Sequence, residues 1–358
     1  PQKPDKEQPS DKPEPSQFSY VFEQGSAGYE VYRIPAIVKT KDGVLLAFAE
    51  ARRFRRNGDS GDIDLVLKRS TDGGKTWGSQ ILVWDDGENT CGNPVPIVDD
   101  RGRVHLLMTW NNGDDKWGDL TNGRGINTRR AYYTYSDDGG LTWKNPKEIT
   151  ESVKRADWDW YGTGPVHGIQ VRNGKYKGRL ISPNYFTIRE GGKVVDYSHV
   201  AYSDDYGASW KAGEPTPSGG VGECSVAELE DGTLVLNMRT GDGFYRKYSY
   251  SKDGGVTWSA PKVDVTQLDP KCQGSILSID KALFLSNPSA ATRTNMTVKK
   301  SLDNGNTWTG KYNVYSGNSG YSDMVQVSET HIGVFYEGGE KRYTDGLDFK
   351  LIEITSIK

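Results

Sequence analysis

Charged and phenolic side chains that could act on a substrate occur in several short motifs along this chain. Arg33 lies in the segment YRIPAIV. Glu223 is followed sixteen residues later by Arg239, and Arg293 is followed twenty-eight residues later by Tyr321. A guanidinium group stays charged and can hold a carboxylate through two parallel hydrogen bonds, whereas a phenol becomes nucleophilic when a base takes its proton. Because a single arginine is usually a surface charge and a single tyrosine usually packs in a core, these residues indicate a site only as an ordered set.

Histidine and cysteine offer little further chemistry. The four histidines are scattered singly along the chain, so we expect a structural or surface role for each of them. The chain has no Cys-x-x-Cys and no His-x-x-x-His spacing, so we expect no metal site and no cofactor. Three cysteines, at 91, 224 and 272, allow at most one disulfide bridge.

An octapeptide of the form Ser-x-Asp-x-Gly-x-(Thr/Ser)-Trp recurs along the chain. Its five copies are STDGGKTW at 70–77, SDDGGLTW at 136–143, SDDYGASW at 203–210, SKDGGVTW at 251–258 and SLDNGNTW at 301–308. The Asp and Gly residues favour a turn in which the carboxylate accepts backbone N–H groups, with the Trp ring packed across the turn. A calcium loop is the alternative, but the copies lack the later bidentate Glu of such loops. We therefore interpret these boxes as structural.

The segments between the boxes are short, β-rich and bounded by turn residues, and none sustains a helical period over ten residues. Repeats of about 50 to 65 residues with four antiparallel strands are typical of propeller blades. The sequence therefore predicts an all-β fold, a six-bladed β-propeller with four antiparallel strands per blade, in which one blade lacks a box. Its last strand, within 349–357, would pair with sequence near 18–23.

Composition limits the classes of partner. The 358 residues carry a net charge of −3, which argues against nucleic acid, and no run of eighteen apolar residues predicts a membrane span. Residues 1–16 hold five prolines and no aliphatic residue, so we expect a disordered linker or tail there. The remaining 17–358 would form one catalytic propeller.

The boxes resemble the aspartate boxes of sialidases, and YRIPAIV resembles the Phe/Tyr-Arg-Ile-Pro motif of that family. Over roughly 20–358 the order of charged residues is similar to that of the bacterial exo-α-sialidases, also called neuraminidases. This resemblance implies that Arg33, Arg239 and Arg293 bind the substrate carboxylate. It also implies that Tyr321 is the nucleophile and that Glu223 is the base that activates it.

The resemblance implies three further roles. Asp59, in the segment NGDSGDIDLV, would be the acid/base residue, although Asp62 and Asp64 lie close by in the same loop. Arg52, in AEARR, would be a further pocket arginine. Glu337, in FYEGG, would buttress the first arginine as its counter-ion.

Loops at 93–98 and 110–119 could cover the N-acyl and glycerol ends of a sialic acid, with Asp115 and Trp117 as candidates for contact. The resulting expectation is a glycoside hydrolase that removes terminal sialic acids with retention through a covalent tyrosyl intermediate. A sialic-acid-binding propeller lectin without turnover is one alternative, and a trans-sialidase or intramolecular trans-sialidase is another. We expect sialylated glycans as partners, a monomer, and a secreted, periplasmic or cell-surface location in a bacterium.

Overall fold

The computed structural model describes residues 17–241 and 244–358. Strands make up 48% of the structure and helices 5%, which confirms the all-β prediction. The tail predicted at 1–16 lies outside the described residues. No helix within the described ranges is long and apolar enough to cross a bilayer.

The strands of the described residues follow one another at short intervals. In chain order they are β1 Phe22–Glu23, β2 Val31–Lys39, β3 Leu45–Arg52, β4 Ile63–Ser70, β5 Ile81–Trp84, β6 Thr90–Val98, β7 Val104–Asn111, β8 Arg130–Ser136, β9 Lys147–Glu148, β10 Tyr161–Thr163, β11 Ile169–Gln170, β12 Leu180–Glu190, β13 Lys193–Ser203, β14 Lys211–Ala212, β15 Cys224–Glu228, β16 Leu234–Met238, β17 Tyr245–Ser251, β18 Lys262–Leu268, β19 Ser275–Ile279, β20 Ala282–Pro288, β21 Thr294–Ser301, β22 Gly310–Gln326, β23 His331–Gly339 and β24 Gly346–Glu353.

Helices are few and short. Two are α-helical, α1 Trp117–Thr121 and α2 Thr150–Val153, and the 3₁₀ turns are Arg55–Asn57, Gly174–Tyr176 and Ile354–Ser356. Of these, α1 begins in the loop 110–119, which was predicted to cover part of the sugar.

Hydrogen bonds join the strands into four sheets. One sheet runs β2-β3-β4-β6-β7-β8-β9 with β5 added on β4, and another runs β1-β24-β23-β22-β21-β20-β19. The two smaller sheets run β10-β12-β13-β14, with β11 on β12, and β15-β16-β17-β18. The predicted pairing of the first strand with the last is present, since β1 pairs with β24 through Phe22 and Leu347, but the paired residues of β24 lie just before the predicted segment 349–357.

The recurring octapeptides lie at equivalent places in these sheets, between β4 and β5, β8 and β9, β13 and β14, β17 and β18, and β21 and β22. In the first copy, Asp72 accepts the backbone N–H of Thr76 at 2.9 Å and its hydroxyl at 2.6 Å, while Ser70 accepts the N–H of Gly74 at 2.8 Å. The same bonds recur in the other four copies. The aspartate therefore closes the turn as predicted.

The box tryptophans also pack into the hydrophobic core beneath their turns. Trp210 and Trp258 are nearly fully buried in separate core clusters, and Trp77 packs edge-on against Phe349 of β24 at 5.4 Å between ring centroids. Each box thus joins a turn to the packing beneath it.

Six strands contact one another in a ring. Taken in chain order, β2 contacts β6, β6 contacts β11, β11 contacts β15, β15 contacts β19, β19 contacts β22, and β22 contacts β2. Side chains that could do chemistry are carried at one end of this group of strands, so the sheets bring together residues that are far apart in the chain.

Candidate active site

A cavity of about 230 Å³ opens at the end of these six strands. Among its lining residues are Ile34, Glu50, Arg52, Asp59, Asn93, Trp117, Arg129, Trp160, Tyr185, Asp196, Gly222, Glu223, Arg239, Gly241 and Tyr321. Strand pairing is interrupted beside it in β2 after Arg33, in β6 after Gly92 and in β22 after Ser319. Such irregularities re-aim side chains, and here they do so at the cavity.

Tyr321 and Glu223 are in direct contact. The hydroxyl of Tyr321 donates to the Glu223 carboxylate at 2.7 and 2.8 Å. Arg239 donates from Nη1 to that carboxylate at 2.7 Å and to the Tyr321 oxygen at 2.9 Å. The phenol therefore has a base and a cation at its oxygen, which is the arrangement that activates a hydroxyl nucleophile.

The spacing between Glu223 and Arg239 has a structural cause. β15 and β16 form an antiparallel pair in which Cys224 lies opposite Met238. One residue beyond that pair, the N–H of Arg239 donates to the carbonyl of Glu223 at 2.9 Å. The hairpin thus fixes the two side chains next to each other at the mouth of the cavity.

Glu337 lies beneath Arg33 and is fully buried. Its Oε1 accepts Nε of Arg33 at 2.9 Å and the N–H of Ile34 at 3.1 Å. Its Oε2 accepts Nη2 of Arg33 at 3.2 Å and the N–H of Tyr321 at 3.0 Å. One carboxylate therefore holds both the first arginine and the backbone of the predicted nucleophile.

Arg293 reaches the same centre from the loop between β20 and β21. The carbonyl of Arg293 accepts the N–H of Ser319 on β22 at 2.9 Å. Because Ser319 lies two residues before Tyr321, this bond places Arg293 close to Tyr321. The guanidinium of Arg293 lies 5.5 Å from the ring centroid of Tyr321, and that of Arg33 lies 4.9 Å from it. Both guanidiniums also face the ring of Tyr343, so all three predicted arginines surround Tyr321.

Asp59 lies at the opposite side of this group, with two thirds of its side chain exposed. It accepts Nη1 of Arg52 at 2.9 Å and lies 3.6 Å from Nη1 of Arg33. Arg52 is buried and is itself held by Glu50 at 2.7 Å. Burial alone would raise the pKa of Asp59, but the charges of Arg52 and Arg33 outweigh burial and hold that pKa well below its usual range.

The neighbouring acidic residues are placed differently. Asp64 is buried and accepts the hydroxyl of Tyr29 at 2.6 Å, and Asp62 lies 3.6 Å from Arg53. Neither lines the cavity, so Asp59 is the aspartate of this loop that faces it.

The two predicted pocket residues, Trp117 and Asp115, lie in different surroundings. Trp117, at the start of α1, lines the cavity with half of its side chain exposed. Asp115 is not among the lining residues and is nearly fully buried. Its carboxylate accepts the N–H groups of Ile126 and Asn127 at 2.6 and 2.9 Å, so it shapes the loop instead of facing the cavity. The prediction of a direct contact from Asp115 is therefore corrected to a role within the loop.

Sequence reasoning missed most of the far wall of the cavity, although Asn93 lies in the segment 93–98 that it singled out. Arg129 is buried there with its guanidinium 3.6 Å from the ring of Trp160, and Trp160 donates its indole N–H to Tyr185 at 3.3 Å. Asn93 and Asp196 also line this wall. None of these residues belongs to a recurring motif. The only signal in the sequence was the Asn-Pro dipeptide at 93–94, which lies within β6. In the structure Asn93 adopts a positive φ of 51°.

The hydroxyl of Tyr321 is held in its neutral form. Burial and the nearby charge of Glu223 raise its pKa well above the ordinary value, and Arg239, Arg33 and Arg293 only partly oppose that rise. Proton loss from Tyr321 therefore requires transfer to an acceptor within contact, and Glu223 is placed to accept it.

Within 17–241 and 244–358, no group of three or more His, Cys, Asp and Glu side chains is arranged to hold a metal ion. The three cysteines are free and buried.

Comparison with known proteins places this arrangement in a family. The profile of the BNR repeat-like domain matches residues 43–334. A sialidase of Bacteroides fragilis is 31% identical over 363 residues, which cover 94% of this chain and 64% of that protein, so the chain spans less than two thirds of that relative. An exo-alpha-sialidase of Aspergillus fumigatus is 30% identical over 343 residues, covering 87% of this chain and 79% of that protein. Among solved structures, the Hadza microbial sialidase Hz136 is similar with a TM-score of 0.84 and 28% identity, over 95% of this chain and 69% of that one.

Proposed function

Because this chain belongs to the sialidase family, we propose that it is a retaining exo-α-sialidase that hydrolyses terminal sialic acids from glycoconjugates. The observation that carries the proposal is the contact of 2.7 Å between the hydroxyl of Tyr321 and Glu223 at the arginine-lined cavity. A protein that only binds sialic acid needs the arginines but has no use for an activated phenol beside them.

The arginines bind the substrate. A sialic acid carries a carboxylate on its anomeric carbon, and the guanidiniums of Arg33, Arg239 and Arg293 hold it through charge-assisted hydrogen bonds. Without ligand, the charge of Arg33 is balanced by Glu337 at 2.9 Å and that of Arg239 by Glu223 at 2.7 Å. These counter-ions offset the repulsion between three cations that face one ring.

The same carboxylate explains a tyrosine nucleophile. An aspartate or glutamate would approach a carbon that already bears a negative substituent, whereas the phenol of Tyr321 arrives neutral. Glu223 takes the phenolic proton as the oxygen attacks the anomeric carbon, and Arg239, 2.9 Å from that oxygen, stabilises the negative charge that develops on it. A bond forms between Tyr321 and the sugar as the bond to the leaving oxygen breaks.

Asp59 completes the cycle. It gives a proton to the leaving oxygen and then takes one from the water that attacks the tyrosyl intermediate. Both displacements invert the anomeric carbon, so the product retains the α configuration. In the second step the bond between the Tyr321 oxygen and the sugar breaks, and Glu223 returns the proton to that oxygen.

The far wall of the cavity holds the rest of the sugar. Arg129, Asn93 and Tyr185 offer polar groups to the N-acyl and glycerol substituents, and Trp160 offers an apolar face. Trp117, half exposed at the rim, contributes a further apolar surface at the entrance.

We propose that the four sheets close into a six-bladed β-propeller. The two largest sheets each divide into two four-stranded units, joined in one case by a single parallel bridge between Ile63 and Thr90 and in the other by the long strand β22. The contacts that link β2, β6, β11, β15, β19 and β22 in a ring support this arrangement. The pairing of β1 with β24 lets the first strand complete the last unit.

Sialylated glycans of glycoproteins, glycolipids and oligosaccharides are the proposed partners. Because these glycans are displayed outside cells, we propose a secreted, periplasmic or cell-surface location in a bacterium. We also propose a monomer, which sedimentation of the purified protein would test.

Turnover of a fluorogenic sialoside across pH 4–8 tests the proposed activity. We expect hydrolysis, with α-sialic acid as the first product in a time course followed by NMR. Binding of sialic acid without turnover would support a lectin and contradict the proposal. Formation of a 2,7-anhydro sugar would indicate intramolecular transfer, and transfer of sialic acid to lactose would indicate intermolecular transfer. Either product would contradict simple hydrolysis.

A further inference from the structure

The backbone at Tyr321 lies in a gap between strand pairs. β22 pairs with β21 as far as Asn318, and its pairing with β23 stops at Ser319 and resumes at Ser322. Residues 320 and 321 therefore belong to neither ladder. Groups outside the ladder must hold the peptides here and determine where the Tyr321 ring points.

The side chain of Gln273 holds Ser322, the residue next to this gap at which pairing with β23 resumes. Its Nε2 donates to the carbonyl of Ser322 at 2.9 Å, and its Oε1 accepts the N–H of Ser322 at 3.0 Å. This reciprocal pair has the pattern that one strand residue forms with its partner in an antiparallel ladder. Nε2 also donates to the carbonyl of Pro165 at 3.0 Å, so both N–H groups of the fully buried Gln273 carboxamide are hydrogen-bonded.

The residues on either side of Gln273 reinforce this grip on β22. Cys272 packs with Ile34 against the ring of Tyr321. Ser275 donates its hydroxyl to Asp323 at 2.7 Å. The segment 272–275 thus touches the ring of residue 321 and hydrogen-bonds to residues 322 and 323.

We infer that Gln273 is a positioning residue for the reaction, holding the Ser322 peptide so that the hydroxyl of Tyr321 meets Glu223. This inference rests on the proposed function, in which Tyr321 attacks the sugar. A small misplacement of an attacking atom lowers reaction rate far more than it lowers ligand binding, because binding depends on other groups. The arginines that bind the carboxylate are held by Glu337, Glu223 and the carbonyl of Lys271, and none of them contacts the Gln273 side chain.

Gln273→Met tests the inference, because methionine keeps the length of the side chain and removes all three hydrogen bonds. We expect kcat/KM for a fluorogenic sialoside to fall by roughly tenfold to a hundredfold. The Kd of an unsaturated sialic acid analogue should change by less than about threefold, since the arginines remain in place.

Gln267→Met is the matched control. Gln267 is also buried, and its Oε1 accepts Nζ of Lys299 at 2.5 Å, away from the cavity. Its replacement should lower the melting temperature and leave kcat/KM unchanged. Equal kcat/KM values in the two variants, or a loss of analogue affinity in Gln273→Met as large as its loss of kcat/KM, would overturn the inference.

Gln273→Glu adds a readout that general destabilisation cannot produce. When protonated, the introduced carboxyl group donates to the Ser322 carbonyl and accepts the Ser322 N–H, which restores the reciprocal pair. When ionised, it faces two carbonyl oxygens and repels them. Activity relative to the wild-type protein at the same pH should therefore rise as pH falls, and no such trend should appear in Gln273→Met.

A crystal structure of Gln273→Met separates this inference from the proposed function, because it needs no turnover. The distance from the Tyr321 hydroxyl to Glu223 is 2.7 Å with Gln273 in place. We expect it to lengthen beyond hydrogen-bonding range in the variant. An unchanged distance would overturn the inference even if the wild-type protein is an active sialidase, and inactivity of the wild-type protein would contradict only the proposed function.

Discussion

At the scale of single residues, the groups predicted to bind and the group predicted to react touch each other through Arg239. Arg33 is fixed by Glu337, whereas the hydroxyl of Tyr321 contacts Glu223 and Arg239. The raised pKa of Tyr321 keeps the phenol neutral in the free protein, so we expect it to become nucleophilic only when Glu223 accepts its proton. Removing only the phenolic oxygen tests this expectation, because Arg33 and Arg239 keep their carboxylate partners.

Tyr321→Phe removes the attacking oxygen and leaves the ring between the arginines. Hydrolysis of a fluorogenic sialoside should fall by a factor on the order of 10³ or more, while the Kd of an unsaturated analogue changes little. Steady-state kinetics and calorimetric titration measure the two effects. A 2,3-difluoro sialic acid should label the wild-type protein at Tyr321, and recovery of the label on Glu223 in peptide maps would instead mean a carboxylate nucleophile.

Asp59 is ionised in the free protein, because Arg52 and Arg33 hold its pKa low. A general acid must carry a proton when the leaving oxygen departs. In the proposed mechanism the substrate carboxylate binds Arg33 and weakens the attraction of that arginine for Asp59. We therefore expect the pKa of Asp59 to rise when the substrate binds.

Asp59→Asn should affect substrates according to their leaving group. Sialyllactose has a poor leaving group that needs protonation, so its kcat/KM should fall by about 10² to 10⁴. The 4-nitrophenolate group of a 4-nitrophenyl sialoside leaves without a proton, so the kcat/KM of this substrate should fall much less. Asp62→Asn is the control, because Asp62 does not line the cavity, and both substrates should react with it normally. Equal losses for the two substrates in Asp59→Asn would remove Asp59 from the role of acid.

The residues predicted from the sequence as an ordered set lie together in the structure, and strand pairing explains two of their spacings. Glu223 and Arg239 face each other across a hairpin, and Arg293 and Tyr321 lie near the end of the β21–β22 pair. Most of the far wall was not found, because Arg129 and Trp160 are brought together by packing between distant elements and carry no local pattern. Asp115 was misplaced for the same reason, since a carboxylate in a loop can face a cavity or its own backbone.

At the scale of elements, the five boxes determine how the third and fourth strands of a unit join. In the second box, Asp138 accepts the N–H of Thr142 at 2.9 Å and the hydroxyl of Ser136 at 2.7 Å. Burial opposes the shift, but hydrogen bonds from Thr142 and Ser136 lower the pKa of Asp138 to about 2. The lowered pKa means that this carboxylate stabilises the fold above its ordinary pKa and loses that contribution as pH falls toward 2.

Asp138→Asn should lower the free energy of unfolding at pH 7 by about 1–3 kcal/mol, because an amide cannot accept all of these hydrogen bonds. Urea denaturation measures the change. Asp137 is the adjacent control, since it forms an ion pair with Arg103 at 2.7 Å on the surface, and Asp137→Asn should cost less than about 1 kcal/mol. A larger effect from Asp137→Asn would contradict the structural importance of the box.

The boxes and strands were predictable from sequence, whereas the interruptions in the ladders were not. The segments of β2 and β22 are predictable as strands, yet their pairing shifts after Arg33 and after Ser319. Ile34 takes a positive φ of 63°, which costs energy for a β-branched residue and is held by the bond from its N–H to Glu337. Such a conformation depends on a partner about three hundred residues away, so no local pattern could reveal it.

At the scale of the whole molecule, the first and last strands of the described residues meet. Phe22 of β1 is buried and packs against Phe335 of β23, with 6.3 Å between ring centroids, while β1 pairs with β24. Lys68 of β4 donates to the carbonyl of Val21 at 2.8 Å. The first described strand therefore contacts both the beginning and the end of the arrangement of sheets, and global unfolding should release all of them together.

Global stability also depends on a buried histidine far from the reaction. His199 of β13 is fully buried, and neither ring nitrogen has a hydrogen-bond partner. Trp158, Tyr161 and Phe186 surround it, with ring centroids 4.7, 5.6 and 5.7 Å away. Burial among these rings lowers the pKa of His199 to about 3, because the charged imidazolium would lose its hydration there.

This lowered pKa makes the fold sensitive to acid. The unfolded chain binds a proton at His199 below about pH 6.5 and the folded chain does not until about pH 3, so unfolding becomes easier across that interval. Between pH 7.5 and 4.5, His199→Phe should therefore lose about 2–3 kcal/mol less free energy of unfolding than the wild-type protein, as measured by urea denaturation. His199→Gln cannot be protonated either and should show the same reduced pH dependence, although its polar amide lowers stability equally at both pH values. If His199→Phe kept the wild-type pH dependence, the imidazole would have to be charged, or exposed to water, in the folded protein.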